Sequence, residues 1–368
     1  MTQQDHLQVY DLVLTTRSPL FVGSGQEYTK KEYLYNSRTN EVSFLDQRKL
    51  FDFLAEEGLE DAFEGFMLGP DSNLYLFLTK DCRIPPARLN ALIRCRVSAA
   101  EALKEGEHPE GIRAFQRDAA GRVYVPGSSV KGALRTAWLL DAVLDDPGPH
   151  ELSHSRRPND RVPFPEAPYL NRRSLDGRKE NAVNDIFRGV QVSDSLPVSD
   201  RVMMLAGKTD AMPDGGTHSI NLCRECVAPG VPLRFKLTLD TSVLKDRITA
   251  QGLLRAINRW DAYYTETYLP AFVPPRDAVP QPPQNFLILG GGAGFFSKSL
   301  AYPYLGRERG LKWTAEEMTI KFPNKGKGRE NPHHERDVES YGISPHTAKY
   351  TRYRQRLYPY GVCEVSIR

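Results

Sequence analysis

The chain has 368 residues, 40% of them hydrophobic, and a formal net charge of +3 at pH 7. This length gives one large or two ordinary domains a real core, and the composition is that of a globular rather than a disordered or fibrous protein. No run of about 20 apolar residues could cross a membrane, and the first residues lack the basic and apolar segments of a signal peptide. We therefore expect a soluble, cytoplasmic protein that does not use a membrane.

The net charge is too small to indicate a nucleic-acid partner, but its distribution is informative. Basic residues cluster in 156–188, 321–336 and 349–356. Such clusters are typical of phosphate-binding surfaces, and they also occur in ordinary solvated loops. The pattern alone leaves both interpretations open.

The five cysteines show no regular spacing, so we expect no disulfide framework. Cys223 and Cys226 form one CxxC pair. A structural zinc site normally needs a second pair of ligands, and the candidates His333 and His334 lie far along the chain. The residues around the pair also fit a strand, so we predict neither a bound metal nor another cofactor.

The first predicted element is a strand at residues 7–14. It leads into a Gly-Ser-Gly loop, which is flexible enough for a ligand to approach the backbone closely. The residues of interest here are two glycines, a serine and three cations: Arg17, Gly23, Ser24, Gly25, Lys30 and Lys31. A hairpin is predicted at residues 32–45, and the mixed sequence of residues 46–121 predicts an insertion on the core fold.

Residues 123–145 are the most informative stretch of the chain. A short β-prone run ends in a Pro-Gly turn, and apolar residues then recur at helical spacing. Ser128 or Ser129 is the expected N-cap of this helix. Lys131 and Arg135 lie four residues apart and project from one side. Backbone N–H groups, hydroxyls and cations would then meet at a site suited to phosphate, although an ordinary capped helix with a basic edge also fits.

Residues 146–185 hold several prolines and many arginines, which predicts a flexible basic loop. Order returns with a strand at residues 190–195. A protruding hairpin is predicted at residues 197–222, with Met203 and Met204 at its base. These methionines could wedge against flat partners such as bases, or simply pack on the core.

A strand at residues 231–240 and an amphipathic helix at residues 249–268 follow. The order of strand, helix, strand, strand and helix is the pattern of a split βαβ unit. A proline-rich segment then ends the helix and opens the C-terminal region, residues 269–368.

Residues 286–299 form the second informative motif, an apolar run followed by four glycines, two phenylalanines and Ser-Lys-Ser. A P-loop would need a glycine in place of Ser297, and no GxGxxG fingerprint is present, so neither kind of nucleotide site is supported. The remaining interpretation is a backbone cradle for a sugar-phosphate chain. Lys298 would supply its charge and Phe295 or Phe296 a stacking surface.

Four motifs, in order along nearly the whole chain, resemble one known family. Residues 125–136 (VPGSSVKGALRT) and 187–195 (FRGVQVSDS) resemble the hallmark turn-helix and following strand of the RAMP proteins of CRISPR effector complexes. Residues 290–299 (GGGAGFFSKS) and 360–367 (YGVCEVSI) are similar, more narrowly, to the Cas7-like family of the fifth Csm subunit in type III-A systems.

The resemblance implies an α+β fold, namely a ferredoxin-like (RRM-like) RAMP palm with a thumb hairpin and large insertions. The palm core would comprise residues 1–45 and 122–268, with the thumb at 197–222. Its strands would be 7–14, 190–195, 231–240 and 362–367, with helices 129–145 and 249–268 on one face. The remaining parts would be the insertion 46–121, the flexible basic loop 146–185 and the C-terminal region 269–368, which carries the glycine-rich loop and the final palm strand.

The resemblance also implies a non-catalytic subunit that binds the guide RNA (crRNA), caps the filament near the crRNA 3′ end and assists crRNA maturation. The implied partners are crRNA, target RNA, the Cas7-like backbone subunit, the small helical subunit and host nucleases. Residues carried over as RNA-binding are Arg17, Gly23, Ser24, Gly25, Lys30, Lys31, Ser128, Ser129, Lys131, Arg135, Arg188, Met203, Met204, Gly290, Gly291, Gly292, Gly294, Phe295, Ser297 and Lys298. Recognition of backbone shape is expected, with affinity that falls steeply with salt.

Two enzymatic activities are alternatives to simple binding. The repeated backbone subunit of this family cleaves target RNA with a loop aspartate and a metal, whereas the corresponding loop here has Glu27 and no aspartate. One carboxylate could still bind Mg²⁺ together with water and phosphate ligands, so this alternative stays open. The other alternative is a RAMP endoribonuclease that processes CRISPR precursor RNA with a general-base histidine. His333, His334 and His346 lie in polar segments, where surface histidines are the simpler interpretation. We therefore predict that the chain is not an enzyme.

Overall fold

The computed structural model describes residues 6–103, 107–146, 148–160, 163–171, 182–245, 247–279, 284–323, 334 and 336–368. The strands are β1 (Leu7–Thr16), β2 (Gly23–Thr29), β3 (Tyr33–Asn36), β4 (Glu41–Leu45), β5 (Ile93–Ser98), β6 (Gly111–Phe115), β7 (Val190–Val192), β8 (Met203–Ala211), β9 (Thr217–Val227), β10 (Pro232–Asp240), β11 (Phe286–Ile288), β12 (Ala348–Tyr353), β13 (Arg356–Pro359) and β14 (Val362–Ile367). The helices are α1 (Gln47–Glu57), α2 (Glu60–Leu68), α3 (Leu74–Leu76), α4 (Pro86–Ala91), α5 (Gly127–Leu144), α6 (Ala167–Leu170), α7 (Thr241–Leu244), α8 (Ala250–Tyr263), α9 (Ala301–Leu305), α10 (Arg307–Lys321) and α11 (Arg336–Ser340). No helix within these ranges is both long and apolar enough to cross a membrane.

A five-stranded antiparallel sheet runs in the order β11-β14-β1-β10-β7. β10 shows why it forms, because buried Phe235 and leucines alternate with exposed Arg234 and Lys236. Helix α5 lies in the chain between β1 and β7, and α8 lies between β10 and β14. The two helices pack against each other. The strands and helices predicted for this sheet are confirmed, although the strand predicted at residues 190–195 is shorter, because β7 ends at Val192.

A second sheet of six strands has the order β13-β12-β8-β9-β6-β2. Its β8–β9 hairpin overlaps the hairpin predicted at residues 197–222 and extends beyond it to Val227. The hairpin does not stand alone, because β8 pairs with β12 and β9 pairs with β6. Residues 217–221 at its outer end are exposed, so only this tip protrudes.

Part of the predicted insertion is a lobe with its own core. Strands β3, β4 and β5 form a three-stranded sheet, and helices α1 to α4 enclose a separate cluster of buried apolar side chains. The ends of the helical segment are close together, because the Asp46 N–H donates to the Leu92 carbonyl at 2.8 Å. A division at residue 45 would separate paired strands, so a division near residue 32 fits the strand pairing better.

The segment predicted as a flexible basic loop, 146–185, is held in place where the structure describes it. Ser155 is buried, and its N–H and hydroxyl both donate to the Glu317 carboxylate of α10. The His154 ring stacks on Trp313 of α10, with 5.3 Å between ring centroids. The prediction of a flexible loop is therefore wrong for these residues, because side chains of α10 bind them. Residues 147, 161–162 and 172–181 lie outside the described ranges.

Candidate nucleic-acid interface

A cleft of about 970 Å³ lies between α5, α10 and the glycine-rich loop at residues 290–299. Arg135 of α5 and Lys298 of the loop both line it, so these two predicted residues share one groove. Three aromatic side chains also line the cleft: Phe164, Phe295 and Trp313. Aromatic and cationic walls together are suited to single-stranded nucleic acid, because bases stack on the rings and phosphates pair with the cations.

The charges that line the cleft are balanced. They are the basic Arg135, Lys298 and Lys321 and the acidic Asp160, Glu166 and Glu317. Arg135 is paired with Glu166, and Lys321 Nζ lies 3.6 Å from a Glu317 carboxylate oxygen. Lys298 has no ion pair with any residue that the structure describes. The cleft is therefore less electropositive than the basic clusters of the sequence imply.

Helix α5 begins one residue before the predicted caps. Pro126 occupies the N-cap position, and Ser128 and Ser129 lie inside the first turn. The Gly127 N–H donates to the Asp194 carboxylate at 2.9 Å, so an acidic side chain already satisfies this end of the helix. The prediction of a serine cap is wrong. Ser128 is exposed and Ser129 half-buried, but the helix end is less available to phosphate than the motif implies.

Arg135 does not offer a free charge to the cleft. Its Nη1 donates to Asp185 at 2.6 Å, and its Nε donates to Glu166 at 2.9 Å. Burial alone would lower the pKa of Arg135, but these two carboxylates raise it above the usual value. Lys131, one turn earlier, has no ion pair with a described residue, and burial lowers the pKa of its ammonium group although Asp185 opposes this. Lys131 is thus the better candidate for a phosphate contact.

The glycine-rich loop is shaped largely by its protein neighbours. Gly290, Gly292 and Gly294 have φ values of +80°, +82° and +88°, a region that favours glycine. A side chain at Gly290 would collide with the backbone carbonyl of Phe21, and one at Gly292 would collide with the Arg224 guanidinium. Close packing within the protein therefore explains these two glycines without a ligand. Gly294 differs, because it lines the cleft.

Within the same loop, only part of the predicted set faces the cleft. Ser297 is buried and its hydroxyl donates to the Gly294 carbonyl at 3.0 Å, so it braces the loop rather than facing a ligand. The Gly291 N–H donates to a neighbouring backbone carbonyl at 2.8 Å. Phe295 and Lys298 reach the cleft. Burial lowers the pKa of Lys298, because it withdraws the ammonium group from water.

The predicted Gly-Ser-Gly loop belongs to strand β2. Gly23 and Gly25 are exposed and Ser24 is half-buried. The pairing of β2 with β6 shifts register between Gly23 and Glu27. The segment is therefore an exposed bulge on an edge strand, not a free loop.

Besides Lys131, four basic residues predicted to bind RNA do not line the cleft. Lys31 donates to three backbone carbonyls at the C-terminal end of α2, at 2.7 to 2.9 Å. Arg17 pairs with Glu364 of β14. These contacts within the protein engage both side chains and do not support RNA binding. Lys30 and Arg188 are exposed and form no ion pair with a described residue.

Met203 and Met204 lie in the core, with 8% and 9% of their surface exposed. They are paired across the hairpin with Val227 and Cys226. The prediction that they wedge against bases is wrong, because their side chains are already packed inside the protein.

No sequence pattern points to Arg224, although its guanidinium packs against Gly292 of the glycine-rich loop. Its guanidinium lies 5.4 Å from the ring centroid of Phe21 and 5.2 Å from that of Tyr360. It is 5% exposed, and its Nε and Nη1 have no hydrogen-bond partner among the described residues. Cation–π contact therefore compensates part of its burial. Its partners come from distant parts of the chain, so only the fold reveals this role.

The CxxC pair cannot hold a shared ion. Cys223 and Cys226 lie three positions apart on β9, so their side chains point to opposite faces of the sheet. The two thiols accordingly belong to different apolar clusters. Burial raises the pKa of Cys223 to about 12 and also raises that of Cys226, which keeps both as neutral thiols at ordinary pH.

The histidines considered for catalysis are not on a mobile surface where the structure describes them. His346 is buried and His334 is half-buried, and both contact the Asp337 carboxylate. Neither lines the cleft. The expectation of exposed histidines is wrong for these two residues, and His333 lies outside the described residues.

Comparison with known proteins gives one consistent family. The family model of the RAMP superfamily matches residues 13–297. The chain is 27% identical over 398 aligned positions to the CRISPR system Cms protein Csm5 of Mycobacterium tuberculosis, which covers 99% of this chain and 98% of that relative. It is 27% identical over 308 positions to the protein of the same name from Streptococcus thermophilus, which covers 80% of each chain. Among solved structures, a chain of a Csm-crRNA-target RNA ternary complex of a type III-A CRISPR-Cas system superposes with a TM-score of 0.64 at 17% identity, covering 97% of this chain and 100% of that one.

Proposed function

Because the chain belongs to the RAMP superfamily, we propose that it is a Csm5-type subunit of a type III-A CRISPR complex. It binds the guide RNA without cleaving it, caps the filament near the crRNA 3′ end and assists crRNA maturation. Relatives of that name align with nearly the whole chain, which supports the assignment.

The five-stranded sheet is the ferredoxin-like palm of this proposal. Four of its strands have the order β14-β1-β10-β7. Helix α5 connects β1 to β7, and α8 connects β10 to β14, which is how two interlocked βαβ units are connected. The β8–β9 hairpin is the thumb, and its exposed tip is the part that reaches a partner.

The observation that carries the RNA-binding proposal is the cleft in which α5 meets the glycine-rich loop. Lys298 is exposed there without an acidic partner among the described residues, beside the ring of Phe295. A phosphate would supply the missing negative charge, and a base could stack on the ring. Such contacts do not depend on base identity, as a subunit that accepts any guide requires.

The partners of this subunit are crRNA, target RNA, the Cas7-like backbone subunit and the small helical subunit, with host nucleases recruited for maturation. The exposed bulge at Gly23 to Glu27 is the surface that faces the target strand. Lys30 and Arg188, both exposed, add backbone contacts outside the cleft.

A tagged pull-down from the native host, followed by sequencing of the co-purified RNA, tests the proposal. We expect short RNAs that carry repeat and spacer sequence, together with the other subunits at fixed stoichiometry. Recovery of the chain alone, without RNA, would contradict the proposal.

The alternative of a processing endoribonuclease finds little support in the geometry. The described histidines pair with Asp337 and do not face the cleft. We expect that the purified chain leaves repeat RNA uncut in the absence of metal. Cleavage that disappears in the His346→Ala variant would instead favour the enzyme.

A further inference from the structure

Three side chains with metal-ligating chemistry meet outside the cleft. They are His334, Asp337 of α11 and His346, which precedes β12; one ligand atom of each lies within 4.8 Å of the others. Nδ1 of His346 is 2.8 Å from Oδ1 of Asp337, and Nδ1 of His334 is 3.2 Å from Oδ2. Each imidazole thus approaches a different oxygen of one carboxylate.

The centre of this cluster is a buried negative charge. Asp337 is only 1% exposed. The Ser344 hydroxyl donates to it at 2.9 Å, and the Ser344 N–H in turn donates to the Tyr302 hydroxyl at 3.0 Å. Within the described part of the chain, no lysine or arginine pairs with this carboxylate. A buried carboxylate without a permanent cation costs several kcal/mol, which a bound cation would offset.

We propose that His334, Asp337 and His346 bind one Zn²⁺ ion. Two imidazoles and one carboxylate form a ligand set that Zn²⁺ favours, with a fourth tetrahedral position left for water or another donor. Atoms bound tetrahedrally to Zn²⁺ at about 2.0–2.1 Å lie about 3.3 Å apart, a separation within the 4.8 Å that spans one ligand atom of each of the three residues here. The Ser344 hydroxyl orients the carboxylate in the way that outer partners orient metal ligands.

The role of this ion is structural. It joins α11 to the segment that enters β12, and β12 carries Lys349. The Lys349 side chain packs directly beside Gly294, so the position of β12 limits where the glycine-rich loop can lie. The metal therefore stabilises the position of β12 and, through Lys349, that of the glycine-rich loop. It takes no part in chemistry within the cleft.

Zinc content of the full-length chain tests this proposal. The protein, without a polyhistidine tag, is dialysed against limiting Zn²⁺ and then against metal-free buffer, and zinc is measured by mass spectrometry. We expect about one ion per chain, with loss of that ion in His346→Ala and in Asp337→Asn. His218→Ala is the matched control, because His218 is an exposed histidine of β9, and it should keep the ion.

Zinc content that is equal in the wild type and in both site variants would overturn the proposal and leave a metal-free hydrogen-bonded cluster. Titration of the wild type with Co²⁺ covers the case in which the variants fail to fold. An intense visible band of four-coordinate Co²⁺, displaced by Zn²⁺, supports the site. A weak octahedral spectrum, or none, overturns it.

Discussion

At the scale of single residues, ion pairing decides which cations of the cleft and of the neighbouring turn of helix α5 can still bind phosphate. Arg135 and Lys321 already have carboxylate partners. Lys131 and Lys298 have none among the described residues, and burial lowers the pKa of both. A phosphate would gain most from these two, because it would supply a counter-charge that the fold leaves out.

Lys298→Ala should lower the affinity of the assembled complex for guide RNA by roughly tenfold, the size expected of one lost phosphate contact. The slope of log affinity against log salt should also become shallower by about one. Binding of labelled crRNA at several salt concentrations measures both quantities. Lys312→Ala is the control, because Lys312 is an exposed residue of α10 and is paired with Glu308 of that helix. An equal loss in both variants would assign the effect to overall charge.

The lowered pKa of Lys298 predicts a pH dependence. As the pH rises towards that lowered pKa, the ammonium group loses its proton and the phosphate contact weakens, so wild-type affinity should fall at alkaline pH. Lys298→Arg should flatten this fall, because a guanidinium keeps its proton. Affinity measured between neutral and alkaline pH checks the difference. The same fall in both proteins would mean that other groups titrate.

Arg135→Ala should lower the free energy of unfolding by about 1–3 kcal/mol, because it leaves Asp185 and Glu166 without their cation. The value lies below that of a fully buried pair, since these side chains are partly exposed and screened by solvent. Lys131→Ala should stay within about 0.5 kcal/mol of the wild type yet weaken RNA retention. Urea unfolding and RNA occupancy separate the two roles. If both variants had the same free energy of unfolding, Arg135 would have no structural role.

At the scale of elements, the glycine-rich loop is positioned by what lies beneath it. Gly290 rests against the backbone of Phe21, and Gly292 rests on the Arg224 guanidinium, which lies between two aromatic rings. Gly294 lies beside Lys349. Three separate segments of the chain thus define the path of the loop and hold Lys298 at the cleft.

Gly290→Ala should therefore lower the free energy of unfolding by about 3 kcal/mol or more, since strain at positive φ adds to a collision with a backbone carbonyl that cannot move away. Gly230→Ala is the matched control. Gly230 also has positive φ, at +91°, but a side chain there would meet open space, so strain alone should cost about 1–2 kcal/mol. Thermal unfolding of both variants tests the contrast, which would fail if the two shifts were the same.

At the scale of the whole molecule, the helical part of the insertion is distinct from the body that carries the cleft. Its buried side chains form their own cluster. Its two ends meet through the hydrogen bond between Asp46 and Leu92. None of its residues lines the cleft. The lobe is therefore an addition to the body that carries the cleft rather than a part of its core.

Replacement of residues 47–91 by a short Gly-Ser linker should leave the rest of the chain folded and still able to retain guide RNA. The reason is that a short linker can join two ends that are already hydrogen-bonded. Circular dichroism and RNA occupancy of the assembled complex measure the outcome. Loss of RNA from a folded variant would show that the lobe contributes to binding.

Much of the fold is predictable from local pattern, whereas the candidate site is predictable only in part. The alternation of apolar residues in β10 and their helical spacing in α5 involve residues only a few positions apart, so the sequence predicts both elements. Helix α10 lies beyond the glycine-rich loop and was not predicted, although it supplies Trp313 and Glu317 to the cleft. Its apolar residues do not form a clear stripe, which explains why the periodicity gave no signal.

The sequence by itself determined the order of the strands and helices of the five-stranded sheet, the two motifs that meet at the cleft and the family to which they belong. Only the tertiary structure decided which charges are free. The partners of Arg135 lie 31 and 50 residues away along the chain, and Met203 and Met204 are buried by strands from other segments. Local patterns arise from the backbone of a few neighbouring residues, but burial and ion pairing arise between distant ones, and those are fixed only when the chain has folded.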